Sequence, residues 1–261
     1  MITFSKPLRK DNHYLRNFID DQNLSPKIDS ILIECKENTG DYRILYANYG
    51  VGFNSETLTF VFYEKYKNGC LVRYKDKEIV LENEDYLNRS MEDLEMIIRS
   101  KNTTVGFLRL DQNPLDYGER EPINIPKSNE KVDFSLILDA LKKKVLEPRT
   151  HKIKVQKLMI ETNDQREVMK VLPFSDSEFL KELRIFNNVD DDKNKMVEMD
   201  EILKLDHLNN FERLEISGCI IPDNCVTKLS HIPYCHIQVK SVNSKDLLFL
   251  KNVSHFLQGG F

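Results

Sequence analysis

Five residues of metal-ligating type lie close together late in the chain: Cys219, Cys225, His231, Cys235 and His236. Zinc takes four such groups in a tetrahedron. The Cys-x2-Cys knuckle that usually supplies two of them is missing, and Pro233 keeps His231 and Cys235 off a shared helix face. Cysteine is also a common small core residue, so no metal is expected here. A second candidate is the acidic run Asp190-Asp191-Asp192-Lys193-Asn194-Lys195, ending at Glu201. Asp190, Asp192, Asn194 and Glu201 fall at calcium-loop ligand spacing, and Val197 sits at the usual apolar place. Lys195 replaces the glycine that the sharp turn needs, and a strand pattern precedes the loop instead of a helix. A solvated acidic connection is the expectation, and no cofactor is expected. Metal or small-ligand binding through the Cys/His cluster or the acidic loop stands as the alternative function.

Enzyme chemistry finds no foothold. Gly50-Val51-Gly52 lacks the further glycine and lysine of a phosphate-cradling loop. No Gly-x-Ser-x-Gly elbow occurs. Carboxylates are many, but no spacing pairs two of them as acid and base. His207 and His255 read as core or interface-edge residues, so the chain is expected not to be an enzyme.

What the sequence does carry is a repeat. The hexad apolar-x-x-apolar-x-apolar occurs at Val155-x-x-Leu158-x-Ile160, Leu180-x-x-Leu183-x-Ile185, Phe211-x-x-Leu214-x-Ile216 and Tyr234-x-x-Ile237-x-Val239. Earlier copies begin at Ile28 and Val105. The last four copies are spaced by 25, 31 and 23 residues, near the roughly 20–29 of leucine-rich units but less regular. Apolar stretches with helical spacing fill the gaps at Val168–Leu172, Met199–Leu208 and Asp223–Ile232, and a last helix begins at Ser244. One strand-plus-helix unit cannot bury its own apolar face and needs neighbours to stack on. The expected fold is therefore α/β: a leucine-rich-repeat-like stack with a parallel sheet.

An antiparallel β-meander is expected before it, over 42–83. Thr57–Tyr66 is aromatic and β-branched, Asn68-Gly69 signals a hairpin turn, Cys70–Tyr74 returns, and Ile79–Leu81 forms a third strand. Ser90 with Asp93 reads as a capping box for a helix carrying Leu94, Ile97 and Ile98. Residues 113–129 hold three prolines and read as a linker, followed by a helix over Val132–Leu146.

Within each hexad the residue before the second apolar position points away from the core. Those residues are Lys157, Glu182, Arg213 and His236, of alternating sign. The next outward row is Met159, Arg184, Glu215 and Gln238, with Phe186 beside Arg184. An open sheet face of this kind suits recognition of a protein, and arginine and phenylalanine are frequent interface anchors. The expected binding residues are Lys157, Met159, Arg184, Phe186, Arg213, Glu215, His236 and Gln238.

Composition is consistent with that reading. Hydrophobic residues make up 40% and charged residues 31%, which describes a globular chain. The net charge is -4, with no basic stripe, so nucleic acid is not an expected partner. No apolar run approaches the roughly 20 residues that span a bilayer, so no membrane partner is expected. Five cysteines without a knuckle, and a start lacking a signal-peptide core, place the chain in the cytoplasm or nucleus.

From about Val132 to Phe256 the ordered set Lys157-Leu158-Met159-Ile160, Val171-Leu172-Pro173-Phe174, Leu180–Ile185, Met199-Asp200-Glu201-Ile202, Leu214-Glu215-Ile216-Ser217, His231-Ile232 and Ser244-Lys245-Asp246-Leu247 resembles the FTH domain, an F-box-associated domain expanded in nematodes. The family commonly has a Glu-Gln-Trp-Lys-like step where this chain has Asp206-His207-Leu208-Asn209. Leu8-Arg9-Lys10 and Leu15-Arg16-Asn17-Phe18 resemble the C-terminal end of an F-box, so Leu8, Leu15 and Phe18 are read as a residual F-box. The resemblance implies three segments: 1–22 as the F-box end, 23–125 as strands and meander, and 126–261 as the FTH domain. It implies the substrate-recognition part of a ubiquitin-ligase receptor, or a receptor-like chain that no longer docks the Skp1-type adaptor. The helices that usually contact that adaptor have no counterpart here, and the substrate protein is unknown.

Overall fold

In the computed structural model of the protein, the described residues are 27–36, 41–47, 58–66, 68–74, 77–112, 133–162, 164–187 and 195–241. The readings made on 1–22, on the linker, on Asp190–Asn194, on Gly50-Val51-Gly52 and on the helix from Ser244 lie outside them.

The hexads become strands because each offers branched apolar residues to one side and polar residues to the other. They form β1 (Lys27–Lys36), β6 (Thr104–Asp111), β7 (Lys154–Glu161), β8 (Glu182–Phe186), β9 (Arg213–Ser217) and β10 (Tyr234–His236). The meander supplies β2 (Asp41–Ala47), β3 (Leu58–Tyr66), β4 (Gly69–Tyr74) and β5 (Lys77–Glu82). All ten join one sheet in the order β10-β9-β8-β7-β6-β1-β2-β3-β4-β5. The six hexad strands pair parallel and the meander pairs antiparallel, so β1 is the hinge between the two patterns. The meander thus extends the same sheet as the hexads.

Register stacks the hexads. Ile31, Leu108, Leu158, Leu183 and Leu214 sit side by side on consecutive strands, as do Ile33, Leu110, Ile160, Ile185 and Ile216. Each of these ten side chains is at most 5% exposed. Full burial of such a residue contributes roughly 1.5–3 kcal/mol, so these two rows are the spine of the fold. The last copy breaks the pattern. Cys235, not Ile237, lies opposite Leu214, and Tyr234 faces outward opposite Arg213. The shift is two residues, one full strand period, so in and out are preserved while every outward residue moves by one row.

Helices cover the inner face. α1 (Tyr86–Ile98) and α2 (Phe134–Ala140) pack there, and α2 runs on as a π-helical turn over Leu141–Leu146. α1 begins a turn earlier than the Ser90 capping box implies, because Asp85 accepts the Asn88 amide at 2.8 Å. Ser90 and Asp93 are instead buried inside the helix, where Asp93 accepts Tyr63 Oη at 2.9 Å and Arg89 Nη2 at 2.8 Å. The connectors between hexad strands are shorter than the helical spacing suggests. They hold α3 (Gln165–Val168), α4 (Val226–Leu229) and 3-10 turns at Leu172–Phe174, Ile202–Lys204, Asp206–Asn210 and Asp223–Cys225.

Candidate protein-binding surface

The outer face of the sheet is two surfaces. Across β1 and the ends of β6 and β7 it is buried: Leu32 is 7% exposed, Glu34 and Asp111 0%, and Glu161 2%. The carboxylates of this part are held locally. Arg109 pairs with Asp111, and Glu161 Oε2 accepts the Gln112 amide at 2.8 Å. Across β7 to β10 the same face is partly open, and it carries most of the residues expected to bind.

Glu182 is the hub of that open part. Lys157 Nζ lies 3.3 Å from it on one side, and Arg213 Nε 3.3 Å on the other. Arg184 Nε donates to it at 2.6 Å from two residues along its own strand. The carboxylate is nearly buried while its three cations remain a third to a half exposed. Burial would push the Glu182 carboxyl up, but Arg184 and Lys157 outweigh it and hold it below its ordinary value. Glu215 extends the lattice, accepting Arg213 Nη2 at 3.0 Å with Arg184 Nε at 3.7 Å. The Arg213 guanidinium then stacks over the exposed Tyr234 ring, 4.1 Å from its centroid. A cation over an aromatic face is held without being neutralised.

The two-residue shift of β10 decides who meets whom. His236 lies opposite Glu215, not Arg213, so Tyr234 takes the place expected for His236. Gln238 falls one row beyond the position expected for it; its side chain is exposed, and its carbonyl accepts the Ile221 amide at 2.9 Å. Met159 is half-buried beside Arg184 on β8 and Arg109 on β6. Phe186 is not exposed. It is 7% accessible, with the Arg109 guanidinium 5.8 Å from its ring centroid, because its row is the buried Glu34–Asp111–Glu161 row. Six of the eight expected residues, Lys157, Met159, Arg184, Arg213, Glu215 and His236, therefore share one surface, Gln238 borders it, and Phe186 leaves it. Tyr234 is the residue that sequence reasoning missed, since the hexad pattern assigned it to the core.

The metal-type residues are dispersed. Cys219 and Cys225 are buried, Cys235 points inward, and its neighbour His236 points outward. His231 Nε2 lies 3.0 Å from the Leu208 carbonyl. Among the described residues no group of three or more His, Cys, Asp or Glu side chains is placed to hold a metal ion. Burial pushes the Cys235 thiol up to about 12 and Cys219 to about 11, which disfavours thiolates as ligands. His207 is buried with its Nε2 2.9 Å from the Ser175 carbonyl, and Ser175 Oγ donates to the Leu172 carbonyl at 2.6 Å. Burial lowers the His207 pKa, and the pair fastens one connector to the next.

No helix among the described residues is long and apolar enough to cross a membrane. Neither the curated proteins nor the solved structures contain a match to the chain. Residues 137–258 match the family model of the FTH domain, a stretch that includes β7 to β10 and hence the open face. That match supports the FTH family for this chain.

Proposed function

We propose that the protein is a non-enzymatic protein-binding module whose contact surface is the outer face of β7 to β10. The observation that carries this reading is the open part of the sheet, where Arg213 stacks on exposed Tyr234 beside Met159 and Arg184. Aromatic, methionine and arginine side chains are the types enriched in interface cores. The FTH match is consistent with a protein-interaction module. In the finer version, the strand-turn units form a leucine-rich-repeat-like receptor surface. The chain is then the substrate-recognition part of an F-box-type ubiquitin-ligase receptor, or a receptor-like chain that binds without docking a Skp1-type adaptor. It works in the cytoplasm or nucleus, on a protein rather than on nucleic acid or membrane.

The test is affinity capture with the intact chain, followed by titration of the captured protein with purified variants. Tyr234→Ala and Arg184→Ala should each weaken binding at least about tenfold, a loss of about 1.4 kcal/mol, at a nearly unchanged melting temperature. Unchanged affinity in both variants overturns the surface assignment. Co-purification with a Skp1-type adaptor separates a delivering receptor from one that only binds.

A further inference from the structure

On the opposite side of the sheet, in the helical layer, a cleft of about 440 Å³ opens between α1 and the π-helical turn. Its apolar lining is Met96, Val145 and Pro148; its cationic lining is Lys144, Arg149 and Arg99, with His151 beside them. The cations are not equivalent. Arg99 is occupied by Glu95, with Nη2 to Oε2 at 2.7 Å. Arg149 meets no carboxylate within ion-pair distance among the described residues. Its Nη2 donates to the Ile98 carbonyl at 2.7 Å and lies 2.9 Å from His151 Nε2, and its buried Nε has no hydrogen-bond partner. Guanidinium has donors only, so His151 Nε2 accepts from Arg149 as a neutral ring, and the Arg149 charge stands at the wall of the cleft without a paired carboxylate among the described residues.

The surroundings add to that imbalance. Lys101 and Lys154 both act on His151 with the same sign as Arg149, and the His151 pKa is lowered, by burial first and then by these cations. Glu92 and Glu95 also line the cleft, but Glu95 is engaged by Arg99. The π-turn is what brings the last cation in. One wide turn, with the Glu147 amide on the Lys142 carbonyl at 2.8 Å, keeps Val145 and Leu146 in the core and places Lys144 on the cleft. Such turns recur at functional sites. The volume falls in the range of small-ligand sites, about 300–1,000 Å³, which pair apolar walls with a few polar groups.

We propose that this cleft binds a phosphate monoester carried on an apolar body, with the phosphate at Arg149, His151 and Lys144 and the body against Met96 and Pro148. Guanidinium presents several donors in a fixed fork that fits phosphate oxygens, and Lys144 adds a point charge at the rim. The site is separate from the sheet face, so either can fail alone. A small phosphate ester and a phosphotyrosine side chain share this chemistry.

The experiment titrates the intact chain with phenyl phosphate, inorganic phosphate and phenol, followed by NMR shifts of His151. Phenyl phosphate should bind saturably at about millimolar concentration, at least about tenfold tighter than either fragment. Lys144→Glu should weaken it at least about fivefold without changing the melting temperature, and Arg149→Gln by more. Arg149 also holds the end of α1, so if R149Q fails to fold, K144E decides alone. Binding no better than phenol, or binding untouched by K144E, overturns the proposal. A phosphotyrosine peptide that binds tighter than phenyl phosphate identifies a protein as the source of the ester; equal affinity identifies a small molecule.

Discussion

Asp93 allows a prediction that runs against intuition about buried ion pairs. Its side chain is 0% exposed, held by Arg89 Nη2 at 2.8 Å and Tyr63 Oη at 2.9 Å. Burial raises its pKa, Arg89 and Tyr63 pull it back, and the balance leaves it at about 6 against an ordinary 3.8. The folded protein therefore holds this proton about two units more tightly than the unfolded chain. At about 1.4 kcal/mol per unit, that is about 3 kcal/mol of linked free energy. Between about pH 4 and pH 6 the folded state binds more protons, so this group's stabilising contribution is lost as pH rises through the window. Asparagine has the same shape and can still accept from Arg89, but it carries no titrating proton. Asp93→Asn should thus be at least as stable as the wild type at pH 7. Its advantage over the wild type should grow by about 2 kcal/mol from pH 4 to pH 6.5. Asp93→Ala leaves Arg89, 8% exposed, with Glu84 at 3.7 Å as its one remaining ion-pair partner among the described residues, and should cost about 3–5 kcal/mol. Urea unfolding followed by circular dichroism at several pH values measures all three chains. A difference between D93N and wild type that stays flat with pH, or a D93N chain as unstable as D93A, refutes the reasoning.

Glu182 should behave in the opposite sense. Its pKa is held down, so its contribution is present above the ordinary glutamate range and is lost as pH falls through the folded value. Glu182→Gln should cost only about 1 kcal/mol at neutral pH, because its cations are partly solvated, and should flatten the acid limb of the stability profile. Phe186→Ala should cost about 3–5 kcal/mol in denaturant unfolding, whereas Arg184→Ala should stay within about 0.5 kcal/mol. Gly218 has φ of +72°, and a Cβ there would collide with the Asn187 carbonyl, so Gly218→Ala should lose at least about 2 kcal/mol, read as a lower melting temperature. With the Cys70 and Cys235 thiols pushed up to about 12 by burial, the native chain at pH 8 should react slowly with a thiol reagent, and all five cysteines should react at once in denaturant.

Much of the scaffold was legible because strand chemistry is local. Leu158, Leu183 and Leu214 declare an inward face by type and spacing alone, and their neighbours Lys157, Glu182 and Arg213 declare the outward one. The hairpin at Asn68-Gly69 is legible for the same reason. The start of α1 was not, because Ser90 and Asp93 look like a cap in sequence and serve as buried partners in space. Arg89 one turn away and Tyr63 thirty positions away supply that burial. Nor was the cleft at Arg149, which needs α1 and the π-turn side by side.

The sequence by itself determined which residues turn inward on the hexad strands and that those strands stack, since alternation and apolar type act between nearest neighbours. Only the tertiary structure decided where the outer face stays open. Phe186 and Arg184 carry the same local signal, yet Phe186 lies in a buried row and Arg184 in an accessible one. It also decided the two-residue shift that brings Tyr234 onto Arg213, because a shift of one strand period leaves the in-out pattern unchanged and so leaves no trace in it.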